Sequence, residues 1–303
     1  MASNIPATTK GFSYLLDPEY RKIFYDEYVT IPEEYTRVLN IGSQDKGDRI
    51  SEAMISGLGS AREVQEGHSI SFDSPEQGYP KTVYFTKYGL GFQITEEMQE
   101  DDLTSIMRKM PAELGKALAY CRETTGWDLY NRAATVHKCS DGQYIFSTAH
   151  PLLKAAGTTW SNLASSGGSL TETTLESSLE TIDGWVNEAG RPVRYVPRLL
   201  VVPTASRWIA KILLKTEKRT DTADNDINPV GDEGLDYMVG HYLTSTTRWF
   251  IVCTQHDMRF VWRRKARFQS GDDFATGNAL FKGTMRCAVA CWNARGVYSN
   301  AGA

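Results

Sequence analysis

No stretch of this 303-residue chain approaches the roughly 18 consecutive apolar residues that a membrane-spanning helix needs. Its first residues, MASNIPATTKGF, lack the apolar centre of a secretion signal. Both absences point to a soluble, intracellular chain. Cysteine is scarce and odd in number, with five residues at 121, 139, 253, 287 and 291, which argues against a disulfide framework. Cys287 and Cys291 share a strand face across Val289, not the C-x-x-C spacing of a zinc knuckle, so buried free thiols are expected. Catalytic signatures are missing too: no G-x-S-x-G elbow, Walker loop or H-E-x-x-H occurs. The glycine pair Gly57-Leu58-Gly59 lacks the third glycine and the preceding strand of a dinucleotide site. Five histidines are scattered; His137, Cys139 and His150 could share a metal, but polar roles in a loop suit them better. Asp221, Asp224 and Asp226 lack the glycine and terminal glutamate of a calcium loop. No catalytic, cofactor or metal residue is therefore assigned. A net charge of -4 argues against a generally basic nucleic-acid binder.

What is present is an ordinary globular mix, 41% hydrophobic and 23% charged, long enough for two domains or one with large excursions. The dominant feature runs from Glu97 to Ala134. There Leu103, Ile106, Met107, Met110, Leu114, Ala117, Leu118 and Cys121 fall on one helical stripe, with Arg108, Glu113, Lys116 and Glu123 facing elsewhere. Glu96, Glu97, Glu100, Asp101 and Asp102 crowd its start and complement the helix dipole. Pro111 calls for a kink or a helix start nearby. The whole element would measure roughly 50 Å.

Residues 1–60 read as an arm: a short helix over Tyr14–Val29, a polar turn over Gly42–Gly47, then softening at Gly57, Gly59 and Ser60. The arm either lies on a neighbour or packs on its own body. From Arg62 to Thr95 the period changes to two. His68–Asp73 and Thr82–Tyr88 read as strands of a long hairpin with its tip at Ser74–Pro80. Two strands alone are only marginally stable, so the hairpin must lean on something. Beyond the helix come a polar loop at Thr148–Ser169 and a helix through Leu175, Leu179, Ile182 and Val186, with Ser169, Thr171 or Thr173 as cap. A buried strand Arg198–Val202, a helix bearing Trp208, Ile209, Ile212 and Leu213, and strands Tyr237–Leu243 and Trp249–Thr254 complete an α/β unit. Met258–Phe268 alternates, which places Arg263, Lys265 and Arg267 opposite Trp262, Arg264, Ala266 and Phe268. The last run, Phe281–Tyr298, is long enough to cross more than one part of the molecule.

The order of arm, hairpin, long helix, α/β unit and returning strands resembles the major capsid protein of tailed bacteriophages, the Hong Kong 97-type shell fold. The phrases Phe146-Ser-Thr-Ala-His-Pro151, Gly157-Thr-Thr-Trp-Ser-Asn-Leu163, Leu199-Leu-Val-Val-Pro203 and Asp226-Ile-Asn-Pro229 are similar to stretches of such head subunits. The resemblance implies an α+β fold with an N-terminal arm at 1–61, an extended loop at 62–95 and a peripheral domain with the spine helix at 96–148. It further implies an α/β axial domain at 149–256, a peripheral return at 257–283 and a final strand at 284–303. It also implies a structural, non-enzymatic subunit that forms hexamers and pentamers of an icosahedral head around double-stranded DNA. A separate scaffolding protein, a portal and decoration proteins would be partners, and no membrane would be. A cellular nanocompartment shell is the alternative within the fold. A soluble hydrolase or transferase with its site in loop 148–169 is the alternative outside it. For contacts between subunits, charge offers candidates. Residues 62–102 hold nine acids against three bases, and 258–286 hold seven bases against two acids. Glu63, Glu66, Asp73, Glu76, Tyr79 and Lys81 of one hairpin are expected to dock near Arg263, Lys265 and Arg267 of the next copy, where opposite potentials fix register. A rival is that those three bases line the interior and meet packaged DNA without reading its sequence.

Overall fold

A computed structural model of the protein describes residues 10–95, 97–98, 106–154, 157–216, 218, 228–273 and 278–302. Leu103, the acids at 96, 100, 101 and 102, and Asp221, Asp224 and Asp226 lie outside them. Helix α1 spans Lys10–Thr30 and helix α2 spans Ile106–Asn131. At 26 residues α2 measures about 39 Å. Pro111 sits in its second turn, so the backbone bond it forfeits falls beside the helix start. Leu114 and Leu118 are buried, as the stripe requires. The two helices meet so closely that a Cβ on Gly115 would lie 2.6 Å from the Phe24 carbonyl oxygen. The arm helix thus packs on its own body, with Tyr20 and Phe24 buried.

Both helices cover one face of a four-stranded sheet ordered β1-β10-β11-β4. Its strands are β1 (Asn40–Ser43), β4 (Thr86–Ile94), β10 (Met258–Asp272) and β11 (Ala279–Cys291). β1 runs parallel to β10, and the other pairings are antiparallel. Phe24 packs 5.3 Å from Phe268, and Tyr20 packs 5.4 Å from Phe281, both centroid to centroid. Gly283 lets α2 reach the sheet: a Cβ there would meet Leu118 Cδ1 at 2.4 Å.

The hairpin forms with a different partner strand. β2 (Arg49–Ile55) pairs antiparallel with β3 (Gln77–Tyr84), while His68–Asp73 carries no strand and the tip is the irregular run 56–76. His68–Asp73 alternates more cleanly than Arg49–Ile55, where Ala53, Met54 and Ile55 run together, so period two alone favours the stretch that carries no strand. Thr82–Tyr88 is split at Phe85, which is buried with Ile50, Val261, Ala288, Ala290 and Trp292. That small cluster is what the hairpin root leans on. Gly42 and Ser43, expected within the polar turn Gly42–Gly47, instead close strand β1; the chain bends after them at 45–46.

A second sheet, ordered β12-β9-β7-β8, contains β7 (Pro197–Val202), β8 (Asp236–Val239), β9 (Trp249–Cys253) and β12 (Val297–Asn300). Helices α3 (Glu172–Asp183), α4 (Arg207–Lys215) and the short α5 (Pro229–Asp232) accompany it. Thr171 caps α3, its hydroxyl accepting from Thr174 N–H while the Thr174 hydroxyl accepts from Thr171 N–H. β11 and β12 carry the last run from the first sheet into the second.

Loop 148–169 is spent on packing. β5 (His150–Pro151) pairs with β6 (Thr159–Trp160), and His150 is fully buried between Asp141 (2.6 Å) and Asn162 (3.2 Å), stacked on Trp160. The Arg295 guanidinium lies over the other part of this cluster, 4.4 Å from the Trp160 ring, and is ion-paired with buried Glu188. His137 instead bonds Asp128, and Cys139 touches Cys291 at 3.8 Å between sulfurs. The three residues weighed as a metal set therefore hold different partners.

Glu123 does not face solvent. It and Arg122 are buried at the joint between arm and spine. Arg122 donates to Glu33 Oε1 (2.8 Å) and the Ile31 carbonyl (3.1 Å), and its guanidinium lies 4.7 Å from the Tyr28 ring. Glu123 Oε2 accepts the Tyr35 N–H at 3.2 Å, while Oε1 has no hydrogen-bond partner. Burial pushes the Glu123 carboxyl up to about 7, against the pull of the Tyr35 N–H and Arg122.

Candidate assembly surfaces

Two surfaces carry the unbalanced charge. The first is the hairpin tip. Glu63 and Glu66 are exposed in the irregular run. Asp73 accepts from Gly59 N–H at 2.5 Å and from Lys154 at 3.2 Å, contacts that hold its carboxyl below the usual range. Glu76 pairs with Ser56 through backbone, its carbonyl accepting the Ser56 N–H at 3.0 Å. Tyr79 is half exposed. Lys81 turns inward, donating to the carbonyls of Lys138 (2.5 Å) and Cys291 (2.8 Å), so it tethers the root to its own chain. Ile55, Ile70 and Phe72 stand exposed along the hairpin, Phe72 at 98%.

The second surface is the sheet face turned away from α1 and α2. Strict alternation along β10 fails twice, with irregularities between Trp262 and Arg264 and between Arg264 and Arg267. Six residues, Trp262–Arg267, run beside four, Cys287–Thr284. Arg264, expected on the Trp262 side, is rotated by the first bulge and lies opposite Arg286 instead; Arg267 lies opposite Thr284. The bulge spares an arginine from facing the helices, and the second returns Phe268 to the core. Arg286 in turn lies opposite Lys87, so Lys87, Arg286 and Arg264 form a row across three strands, with Lys282 and Arg267 on the same face. Arg264 donates to Thr284 Oγ1 at 3.2 Å, and none of these five has an acidic partner among the described residues. Arg263 is half-buried and donates to the Gly47 carbonyl at 3.0 Å; Lys265 is exposed. Like charges directly across a sheet repel, so the row is a standing cost to the isolated chain. The first bulge hides Arg264 from a sequence reading; Lys87, Lys282 and Arg286 lie in the unbroken pairing of β4 with β11, and only that pairing brings them onto the face of Arg264.

A family model described as phage capsid protein matches residues 78–300. The chain belongs to the phage capsid protein family. Among solved structures, the capsid of cyanophage P-SCSP1u superimposes with a TM-score of 0.55 at 13% identity, covering 86% of this chain and 85% of that one. The capsid of an empty GTA particle gives 0.55 at 10% identity over 97% of each chain. The capsid of Ralstonia phage GP4 gives 0.52 at 12% identity over 88% and 87%. No curated protein sequence matches. At such identities the structures speak for the fold, the Hong Kong 97-type shell fold in its mixed helix-and-sheet form. This capsid protein is a structural component of the virion shell, and the family match favours the phage head over the cellular nanocompartment. It points away from an enzyme as well, and the two charged surfaces are read accordingly as surfaces of a shell subunit.

Proposed function

We propose that this capsid protein assembles into hexameric and pentameric rings that enclose double-stranded DNA. In that shell the acidic hairpin tip of one copy lies on the basic sheet face of the next. The row Lys87–Arg286–Arg264 carries the reading: three cations in register, without acids among the described residues, on the face left open by the helices. Glu63, Glu66 and Glu76 supply complementary charge, and Ile70 and Phe72 supply apolar surface that the single chain leaves in water. Opposite potentials of this kind set register and encounter rate more than raw affinity. Separate scaffolding and portal proteins complete the assembly, and decoration proteins are compatible with it.

Reversing Arg264, Arg267 and Arg286 to glutamate tests the contact. Loss of particles in electron micrographs, regained when Glu63, Glu66 and Glu76 are changed to lysine, supports docking. Normal shells that fail to retain DNA would instead assign the face to packaged phosphates, whose binding weakens with salt. Normal shells with normal DNA content would remove both readings.

A further inference from the structure

The second sheet carries two helices of opposite and unmixed charge. In α3, Glu172, Glu176 and Glu180 stand at steps of four with Asp183 just beyond, and the helix has no basic residue. In α4, Arg207, Lys211 and Lys215 stand at the same steps, and the helix has no acid. Each row runs eight residue steps from first charge to last, about 12 Å along its axis. Like charges four residues apart destabilise their own helix, so both rows are costs to the isolated chain. Lys215 reaches Asp236 at 3.5 Å, but Arg207 and Lys211 have no acidic partner among the described residues, and Glu176, Glu180 and Asp183 have no basic one.

Beside its cations α4 also exposes Trp208, at 65%, with Ile209 and Ile212. The Arg207 and Lys211 charges flank the indole at 5.5 and 5.7 Å. Buried Ala210 and Leu214 hold the opposite side of the helix to the sheet. α4 lies toward the β8 edge of that sheet, and the chain enters α3 from the β12 edge. α4 packs on β7 and β8. The segment entering α3 is tied to β12, with Ala164 N–H on the Ser299 carbonyl (3.0 Å) and Gly168 N–H on Asn300 Oδ1 (2.9 Å).

Complementary rows on separate helices make a head-to-tail contact, the kind that closes into rings when repeated by rotation. We infer that α4 of one copy seats its basic row and Trp208 against the acidic row of α3 of the next copy around the ring axis. The inference rests on the ring assembly proposed above and names the contact that closes each ring. The occupant is a second copy because this chain itself holds the matching row, with equal length and spacing.

The test uses the full chain. Arg207→Glu with Lys211→Glu, and separately Glu176→Lys with Glu180→Lys, are each expected to raise the concentration needed for rings at least tenfold by sedimentation velocity. All four changes in one chain are expected to return it to within about threefold of the original. Melting temperatures of the unassembled variants, within a few degrees of the parent, show that they fold. Mixing the two doubly reversed chains is more discriminating: each contact is matched only when the chains alternate, so six-membered rings form and five-membered ones do not. Assembly of either variant at the parent concentration, a four-fold variant no better than its parents, or mixed rings of odd number would overturn the contact. If the parent chain itself forms no rings, the assembly reading falls with it; if it forms rings that ignore these charges, the inference alone falls.

Discussion

Glu123 lies where the arm joins the spine, and it should make that joint pH-dependent with a definite sign. Its carboxyl is raised from 4.5 to about 7 by burial. A carboxyl that binds its proton more tightly when folded stabilises the docked state below its unfolded value. That stability declines as pH climbs from about 4.5 to about 7 and stays lost above. At 1.36 kcal/mol per unit, the loss amounts to ~3 kcal/mol. The charged groups around the carboxyl are Arg122, Glu33 and Glu34, and the first opposes the two others. Glu123→Gln keeps the shape and an acceptor for the Tyr35 N–H while removing the titration. Amide exchange over residues 31–39 at pH 8 should slow by up to about 300-fold in the variant. Denaturant midpoints of the variant should also lose most of the parent's decline between pH 5 and 7.5. A variant with the parent's slope, or with faster exchange at pH 8, would refute the assignment of Glu123 as the group that titrates.

Three further outcomes follow from other sites. Gly283→Ala drives a methyl against Leu118 and should cost about 1–3 kcal/mol by overpacking, read as a lower melting temperature. Arg295→Met strands buried Glu188 without its cation and should cost about 3–5 kcal/mol; adding Glu188→Gln should recover a large part of it. Lys81→Met removes a donor to two carbonyls at the hairpin root, and limited proteolysis should then cut 56–76 faster while the spine helix stays intact.

The spine helix was legible because a 3.6-residue period survives Pro111, and the second sheet because Leu199–Val202 and Trp249–Cys253 are short apolar runs bounded by polar ones. The last run's crossing between sheets could be read from its length alone. The hairpin's partner strand could not be read, since Ile70 and Phe72 sit in a cleaner alternation than Ile50 and Met54, whereas Ile50 and Phe85 are buried with Val261 and Trp292 far along the chain. Arg122 and Glu123 were hidden for another reason: charged residues on a helix read as solvent-facing until a second helix and a turn close over them. Bulges leave no local mark either, so Arg264 was placed on the wrong side while Arg267 was placed correctly. The opposed charge rows of α3 and α4 were visible in the spacing and went unread, because each helix was judged by its apolar residues.

Those bulges also give β10 slack. Six residues beside four leave about 7 Å of surplus chain that must arch out of the plane, near Arg263 and Lys265. Length there is negotiable: losing one of the surplus residues would flatten the arch and leave Phe268 turned toward the helices. Losing one from the regularly paired stretches on either side would have to turn one end of the strand over. Along an otherwise unforgiving strand, the arch is the place where such a shell subunit can change size without changing its faces.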